Sequence, residues 1–397
     1  MGYDSLEKIK YSDRTNYEKV YHERYNSESS YRYDFNVSGY GAFVFVTQDI
    51  LSLISEILIL DKRLSKLEEL LPNVAVEQFM RKCLVDEIQQ SNDMEGVAST
   101  RKEIKDSLEK KPPNNRFNGI VNKYEHLYTD ETIPMSECLD IRQLYDEIIL
   151  DEIKESDKEN IPDGDIFRKG RVYVKDKNTG SVIHEGLYPE TKIIETMSSL
   201  LAALKNPEYN KLINIAVVHY MIGYIHPFYD GNGRINRFIS SYLISDVLEE
   251  IVSYRLAYTI KQNLNAYYKI FKDTNNENNR GDLTPFTIYF LELIKTSISE
   301  LINYFDDKST SFYYYVKKLN NMDKSDDYKR VLDILIQNAM FGFEGLSIEE
   351  VSSIIKKSNY IVDKNIKLIE KDNLLKKMKA RPYLYTANLD ELDLINS

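Results

Sequence analysis

The segment HPFYDGNGRINR, residues 226–237, separates two helical patterns. It contains one histidine, one aspartate, two glycines and two arginines within twelve positions. Pro227 disfavours the helical conformation at His226, so the preceding helix is expected to end there and present the imidazole. Gly231 and Gly233 permit a turn whose backbone N–H groups are free of side chains. Apolar residues at helical spacing resume after Gly233. The segment therefore predicts a glycine turn that leads into a helix N-terminus.

The charged residues of this segment predict phosphate chemistry. Arg234 and Arg237 are three residues apart on the first turn of the second helix, and a helix N-terminus with two arginines suits a phosphate. Asp230 precedes the turn and is placed to hold a divalent cation, since magnesium takes oxygen ligands and shares them with phosphates. His226 has the ordinary pKa suited to accepting a proton from a hydroxyl. We infer transfer of a phosphorus-centred group from a nucleotide to a hydroxyl.

Each of these features has a structural interpretation when it stands alone. A histidine at a helix end commonly packs, two arginines commonly form a solvated face, and the dinucleotide fingerprint needs a third glycine that is missing here. Their occurrence together favours the functional interpretation. His219 lies within the preceding apolar pattern and is expected to be a satisfied core residue, whereas His184 is expected at the surface or lining a site.

The surrounding sequence predicts a mainly helical protein. Residues 48–71 and 76–90 have helical apolar spacing, and residues 209–224 are apolar nearly all round, which is typical of a buried helix. Residues 171–186 alternate apolar and polar side chains around Asn178-Thr179-Gly180 and predict a β-hairpin. Residues 1–40 are rich in Tyr, Ser and charge and are expected to be irregular.

The C-terminal part has a separate pattern. Helices are expected at 328–338, at 347–356 with Ser347 as its N-cap, and at 359–370, followed by a hairpin at 374–386. This order is typical of a winged helix. Its last part carries nine basic residues against three acidic ones, the basic ones being Lys356, Lys357, Lys364, Lys367, Lys371, Lys376, Lys377, Lys379 and Arg381. Such a patch suits contact with DNA or with a protein.

Composition limits the class of protein. The net charge of −11 argues against coating nucleic acid through overall charge. Two cysteines suit a reducing compartment, and the first residues lack the apolar core of a signal peptide. The most apolar run, residues 43–60, contains Gln48, Asp49 and Glu56 and is not expected to span a membrane. We expect a cytoplasmic protein without a membrane contact.

The segment 226–237 matches every fixed position of HxFx(D/E)GNGRxxR, so the chain resembles the Fic family from about residue 45 to 305. The resemblance implies a mainly α fold: a Fic-type helical bundle with a β-hairpin flap, plus a C-terminal winged-helix domain. It also implies adenylylation, in which AMP moves from ATP to a Ser, Thr or Tyr hydroxyl of a target protein, including the chain itself, with Mg²⁺.

The resemblance assigns roles to individual residues. It implies His226 as general base, Asp230 as magnesium ligand and Phe228 as core anchor. Gly231, Asn232 and Gly233 would form the anion hole, with Arg234 at the α/β-phosphates and Arg237 at the γ-phosphate. Gly233 separates this sequence from the phosphorylating branch, which has GNKR. Tyr267, Tyr268 and Asn275 resemble the residues on the adenosine side.

A second motif lies upstream. Residues 91–96, Ser91-Asn92-Asp93-Met94-Glu95-Gly96, resemble the family's inhibitory motif (S/T)xxxE(G/N). Ser91 and Glu95 share one helix face, and Gly96 permits a close turn. A carboxylate that binds Arg237 bidentately would occupy the γ-phosphate position. The alternative is a solvated helix with an ordinary glutamate.

The sequence thus predicts three sections: residues 1–110 with the inhibitory helix at about 84–97, residues 111–310 as the Fic core with the flap at 171–186, and residues 325–397 as the winged helix. Two other functions stay open. One is a winged-helix DNA-binding regulator whose Fic core senses nucleotide, and the other is a de-AMPylase that uses the same site. The oligomeric state is open as well, although a homodimer that buries or releases the inhibitory helix would be an economical switch.

Overall fold

The computed structural model describes residues 3–109, 115–128, 132–175, 180, 182–380 and 383–394. Most of these residues are helical, in agreement with the expected mainly α fold. The elements up to the predicted flap are α1 Leu6–Ser12, α2 Tyr17–Tyr25, β1 Ser30–Val37, β2 Tyr40–Phe45, α3 Gln48–Glu69, α4 Asn73–Glu95, α5 Arg101–Leu108, α6 Asn118–Glu125, α7 Cys138–Tyr145 and α8 Asp151–Ser156.

The expectation of an irregular N-terminus is wrong. Two helices are followed by the antiparallel pair β1–β2. Every second residue of β1 from Tyr33 is buried (Tyr33, Phe35 and Val37), which is the alternation that a half-buried strand requires. The high content of Tyr, Ser and charge obscured this alternation. Leu6, Tyr17 and Phe43 form a small core beneath the two helices.

The hairpin and the two central helices follow. The flap consists of β3 Tyr173–Lys175 and β4 Val182–Glu185, which pair antiparallel. Asn178 and Thr179 of its predicted turn lie outside the described residues. The helices α9 Glu190–Leu204, α10 Lys211–Ile225 and α11 Asn232–Ser245 come next. Nearly all of α10 is buried, as its all-apolar sequence predicts, and Asn210 caps its N-terminus by accepting from Leu212 N and Ile213 N.

The remaining helices complete the chain. They are α12 Glu250–Ser253, α13 Leu256–Gln262, α14 Leu264–Thr274, α15 Thr284–Asn321, α16 Asp326–Phe341, α17 Ile348–Ile355, α18 Asn359–Lys371 and α19 Leu389–Leu394, with strands β5 Leu375–Ala380 and β6 Tyr383–Ala387 between the last two. Ser347 caps α17 in a capping box with Glu350. Three helices and a hairpin thus lie at the positions from which a winged helix is predicted.

The chain divides into two compact units: residues 1–61 with 85–298, and residues 62–84 with 299–397. These limits differ from the predicted sections, which were placed at segments rich in helix breakers. The difference has a simple reason: the limits of the units fall inside the long helices α3, α4 and α15, where no breaker marks them. Among the described helices, none has both the length and the apolar character of a membrane span.

Candidate active site

The loop between α10 and α11 has the predicted glycine turn. α10 ends at Ile225, His226 has a left-handed backbone with φ +52°, and Gly231 has φ +77° immediately before α11. The Asn232 side chain fixes the loop, because it accepts from Phe228 N at 3.0 Å and donates to Phe228 O at 2.8 Å. Phe228 is buried and stacks on Tyr145 with ring centroids 3.7 Å apart, as expected of a core anchor.

His226 has the properties of a general base. Its Nδ1 lies 3.3 Å from Gly223 O, so the tautomer with the proton on Nδ1 donates there and leaves the Nε2 lone pair free to accept a proton. Burial lowers the pKa of His226 to about 4, and the contact with Gly223 O opposes this shift only in part. The imidazole is therefore neutral at pH 7.

This lowered pKa makes a direct prediction. Below the unperturbed value of about 6.5 an exposed histidine becomes charged, whereas we expect His226 to stay neutral down to about pH 5. An NMR titration of the imidazole C2 proton measures this, with the His226→Ala variant identifying the resonance. A titration midpoint near pH 6.5 would contradict the environment described here.

Arg234 is buried, with 1% of its surface exposed. Its Nη1 donates to Glu152 Oε2 at 2.6 Å, and this carboxylate belongs to α8. Its Nε and Nη2 have no hydrogen-bond partner among the described residues. Buried guanidinium N–H groups are costly when unpaired, so these two nitrogens are suited to receiving an anion. Phosphate oxygens of a nucleotide have the required charge and acceptor geometry.

Arg237 is also buried and is bound by the end of α4. Its Nε donates to Ser91 Oγ at 2.8 Å, and its Nη2 donates to Ser91 O at 2.9 Å and to Glu95 Oε1 at 2.7 Å. The expected pairing of Glu95 with Arg237 is present, but as one hydrogen bond instead of a bidentate pair. Ser91 accepts from Nε and from Nη2 because it lies one turn before Glu95 on the same face.

The Glu95 carboxylate also lies against the glycine turn. A methyl group built on Gly233 would be 1.9 Å from Glu95 Oε1, so only glycine permits this approach. Burial alone would raise the pKa of Glu95, but the charge of Arg237 and its hydrogen bond outweigh burial, and the pKa lies below its ordinary value. Glu95 is therefore ionised at neutral pH and places a negative charge beside the predicted phosphate site.

The end of α4 is defined by its C-terminal cap and by a contact with α13. Gly96 ends α4 with φ +81°, and the bonds from its N–H to Asp93 O and from Val97 N to Asn92 O form a Schellman motif. Two turns before Glu95, the buried Glu87 accepts from Ala257 N at 2.7 Å and from Tyr258 N at 3.2 Å. The face of α4 that carries Glu87, Ser91 and Glu95 is thus the face in contact with the core.

Asp230 fits a magnesium ion shared with a substrate. Its carboxylate is half-buried, accepts from Gly231 N at 2.5 Å and forms no ion pair with a described residue. No group of three or more His, Cys, Asp or Glu among the described residues could hold a metal by itself. Magnesium is commonly bound by one or two carboxylates together with substrate phosphates, and a single Asp230 matches that mode.

The three residues predicted on the adenosine side lie on or just after α14. Tyr267 is buried and its hydroxyl pairs with His219 Nε2 at 2.7 Å, while Tyr268 is partly exposed. Asn275 Oδ1 accepts from Tyr220. The interpretation of His219 as a satisfied core residue is confirmed, since its Nδ1 also contacts Ser240 Oγ at 2.7 Å. A nucleotide contact for the three residues stays a prediction.

Several residues around the loop were missed by the sequence analysis. Glu152 binds Arg234, and Tyr145 supports Phe228 and donates to Asp230 O at 3.2 Å. Between them, residues 146–150 form a π-helical turn, a feature frequent near functional sites. Arg168 binds the backbone of His226. No local pattern marks these residues because their partners are more than 50 positions away in the sequence.

The fold and the site define a mainly α protein with a histidine-containing glycine loop at a helix N-terminus. Residues 138–244 match the model of the Fic/DOC family. The protein adenylyltransferases Fic of Drosophila yakuba and Drosophila willistoni are 26% identical over 136 residues and 27% identical over 140 residues, 34% of this chain in each comparison. The matched regions span only 25% and 24% of the length of those relatives.

A solved structure supports the fold. The crystal structure of a Fic family protein from Desulfovibrio desulfuricans G20 aligns with 86% of this chain and 97% of that chain, with a TM-score of 0.53 and 18% identity. At this identity the similarity concerns the fold alone. Residues 138–244 of the chain thus carry a Fic domain.

Proposed function

We propose that this protein is a protein adenylyltransferase that moves AMP from ATP to Ser, Thr or Tyr hydroxyls of proteins, including itself. The observation that carries the proposal is the arrangement at the α10–α11 loop. A neutral imidazole, a glycine turn at a helix N-terminus and a buried arginine with two free nitrogens occur together. The curated relatives are named protein adenylyltransferases, which supports the same reaction class.

The proposed reaction is one displacement at phosphorus. His226 Nε2 accepts the proton of the target hydroxyl while the oxygen forms a bond to the α-phosphorus of ATP. The bond between the α-phosphorus and the oxygen that bridges to the β-phosphate breaks, and pyrophosphate leaves with that oxygen and its electron pair. The N-terminal amides of α11 and the nitrogens of Arg234 stabilise the charge on the phosphates, which is the main protein contribution in such transfers.

Asp230 would hold Mg²⁺ in this reaction. When bound, the ion supplies charge neutralisation of the phosphates and orients them. The remaining contributions come from the chain itself, through the base, the turn amides and the two arginines.

We further propose that Glu95 inhibits the enzyme. It occupies a hydrogen-bond donor of Arg237 and places a carboxylate against Gly233, where a phosphate oxygen would approach the turn. Two like charges cannot share that position without a large electrostatic penalty. ATP would therefore bind poorly or in a pose with its α-phosphate out of line until α4 moves.

The target protein is proposed to bind at the flap. A two-stranded hairpin with an exposed edge pairs with an extended segment through backbone hydrogen bonds, which carry little sequence information. These backbone contacts therefore do not select one target sequence.

The observed contacts do not favour DNA binding as the second function. Several lysines of the basic patch are already paired with carboxylates, namely Lys357 with Asp327, Lys367 with Asp363, Lys376 with Asp390 and Lys377 with Glu370. Each pair reduces the positive charge available to a phosphate backbone. Arg381 lies outside the described residues.

The product of the reaction tests the proposal. We expect the Glu95→Gly variant, incubated with Mg²⁺ and ATP, to gain the mass of one or more AMP groups on Tyr, Thr or Ser. Label from the α-phosphate should be retained on the protein and label from the γ-phosphate should leave with pyrophosphate. Retention of the γ-label would identify a kinase instead. Removal of AMP from a pre-modified protein without any gain would identify the reverse reaction.

A further inference from the structure

Arg168 is a buried cation whose hydrogen bonds go to carbonyl oxygens. None of its surface is exposed. Its Nε donates to His226 O at 2.9 Å, its Nη2 donates to Leu187 O at 2.9 Å, and its Nη1 donates to Gly170 O. No ion pair between Arg168 and a carboxylate is found among the described residues. Burial disfavours the charge of Arg168, the nearby Glu185 opposes this effect through space, and the three carbonyl oxygens supply the hydrogen bonds of the guanidinium.

The three carbonyls belong to the parts that must cooperate in catalysis. Gly170 precedes β3 and Leu187 follows β4, so they are the two ends of the flap. His226 is the base. One planar guanidinium therefore connects both ends of the target-binding hairpin to the backbone of the residue that accepts the proton. A guanidinium is suited to this because its donors have a fixed fork geometry, which an ammonium lacks.

Further contacts reinforce this connection. Arg168 N donates to Pro227 O at 3.3 Å, and Leu187 N donates to Ile225 O at 3.0 Å. Packing is close as well, since a methyl group on Gly186 would be 2.5 Å from Arg168 Nη2 and 2.9 Å from His226 Cβ. Residues 186–187 at the end of the flap, and Arg168 before it, are thus in contact with residues 225–227.

The backbone of His226 needs such support. A left-handed conformation is unfavourable at a residue with a β-carbon, and it persists only where the surroundings impose it. This conformation determines the direction of the imidazole at the end of α10. Loss of the bond to His226 O would allow the residue to relax and the ring to move away from the α-phosphorus.

We propose that Arg168 is a positioning residue that holds His226 in its reactive orientation and couples that orientation to the flap. The inference rests on the proposed transferase function, and it adds a residue outside the 226–237 loop to the groups that act in the proposed reaction. Arg168 is predicted to affect the chemical step and not the binding of ATP, since the phosphates are bound by other groups.

The test uses the full chain with Glu95→Gly as the active parent. We compare Arg168→Lys, which keeps the charge but not the fork, and Arg168→Met, which removes the charge. Arg63→Met is the matched control because Arg63 pairs with Asp306 of α15 and lies outside the flap and the 226–237 loop. We measure kcat and KM for ATP in AMP transfer, together with Tm.

For both Arg168 variants we expect kcat to fall about 10²-fold, the effect of misplacing a reacting group by about 1 Å, with KM for ATP changed less than about threefold. The Arg63→Met control should keep the kcat of the parent. A kcat within threefold of the parent in Arg168→Lys and Arg168→Met would overturn the proposal, and so would equal losses in kcat and in ATP affinity.

Gly186→Ala keeps the proposal testable if the Arg168 variants do not fold. The added methyl displaces the guanidinium from a neighbouring position, so we expect the same selective loss of kcat. Unchanged kcat in this variant would argue against the coupling.

A readout without turnover separates this proposal from the proposed function. In NMR spectra of the apo protein, Arg168→Lys should shift the His226 imidazole resonance, whereas Arg63→Met should not. If the parent transfers no AMP, the transferase function fails, while a shifted His226 resonance still supports the positioning role. If transfer occurs and the resonance is unchanged, the positioning role fails by itself.

Discussion

The His226→Ala change is expected to lower AMP transfer by about 10²–10⁴-fold, the contribution of a general base. The comparison is made in the Glu95→Gly background, where the parent is active. His226 is the histidine of the loop, and its neutral ring has a free Nε2 in the tautomer fixed by Gly223 O. Without it, water is the remaining proton acceptor. Transfer of label from α-labelled ATP to the protein measures the effect.

The affinity for ATP serves as the control measurement for the His226→Ala variant. Because Arg234, Arg237 and the glycine turn carry the phosphates, the affinity for ATP should change little in His226→Ala. His22→Ala, at an exposed position on α2, is the matched control and should behave like the parent. A His226→Ala variant that transfers AMP within threefold of the parent would refute the role of the imidazole.

Replacement of Glu95 by glycine is expected to raise AMP transfer about 10- to 100-fold over wild type. The basis is the hydrogen bond between ionised partners at 2.7 Å, since such bonds contribute about 1.5–3 kcal/mol and each 1.4 kcal/mol is tenfold. The variant frees an Arg237 donor and removes a carboxylate from the vicinity of Gly233. Rates of label incorporation in wild type and variant measure the release.

The Glu95→Gly change should also lower the thermal stability of the protein without nucleotide. Arg237 is buried, and among the described residues Ser91, its remaining hydrogen-bond partner once Glu95 is replaced, carries no charge, which is unfavourable in a low-dielectric environment. We therefore expect a lower Tm in the absence of nucleotide. ATP should restore stability, by about 2.7 kcal/mol at 100 times its Kd, because it binds the folded state alone.

Two control variants distinguish the loss of the Glu95 carboxylate from the effect of glycine on the stability of α4. Glu95→Ala removes the charge but keeps helix propensity, and it should be activated like Glu95→Gly. Asp93→Gly introduces glycine into the same turn at an exposed position and should remain inhibited. Equal incorporation in wild type, Glu95→Gly and Glu95→Ala would show that the contact between Glu95 and Arg237 does not regulate the enzyme.

Local sequence was sufficient for the loop and for most helices. Pro227 restricts the backbone of the residue before it, and Gly231 permits the left-handed turn. The apolar spacing of α10 indicates its burial, because dihedral preferences and periodicity act over a few residues. The same reasoning failed for residues 1–40, where the alternation of β1 was overlooked. The limits of the compact units lie inside long helices, where no local pattern marks them.

The sequence alone determined which chemical groups are present and how the loop spaces them: the histidine at 226, the turn at 231–233 and the arginines at 234 and 237. Only the tertiary structure decided how these groups are held. Glu152 binds Arg234 across 82 positions, Arg168 binds His226 across 58, and Ser91 and Glu95 meet Arg237 across 146 and 142. Such contacts depend on how whole helices and the flap pack, and local propensities do not encode which distant side chain fills a given buried space.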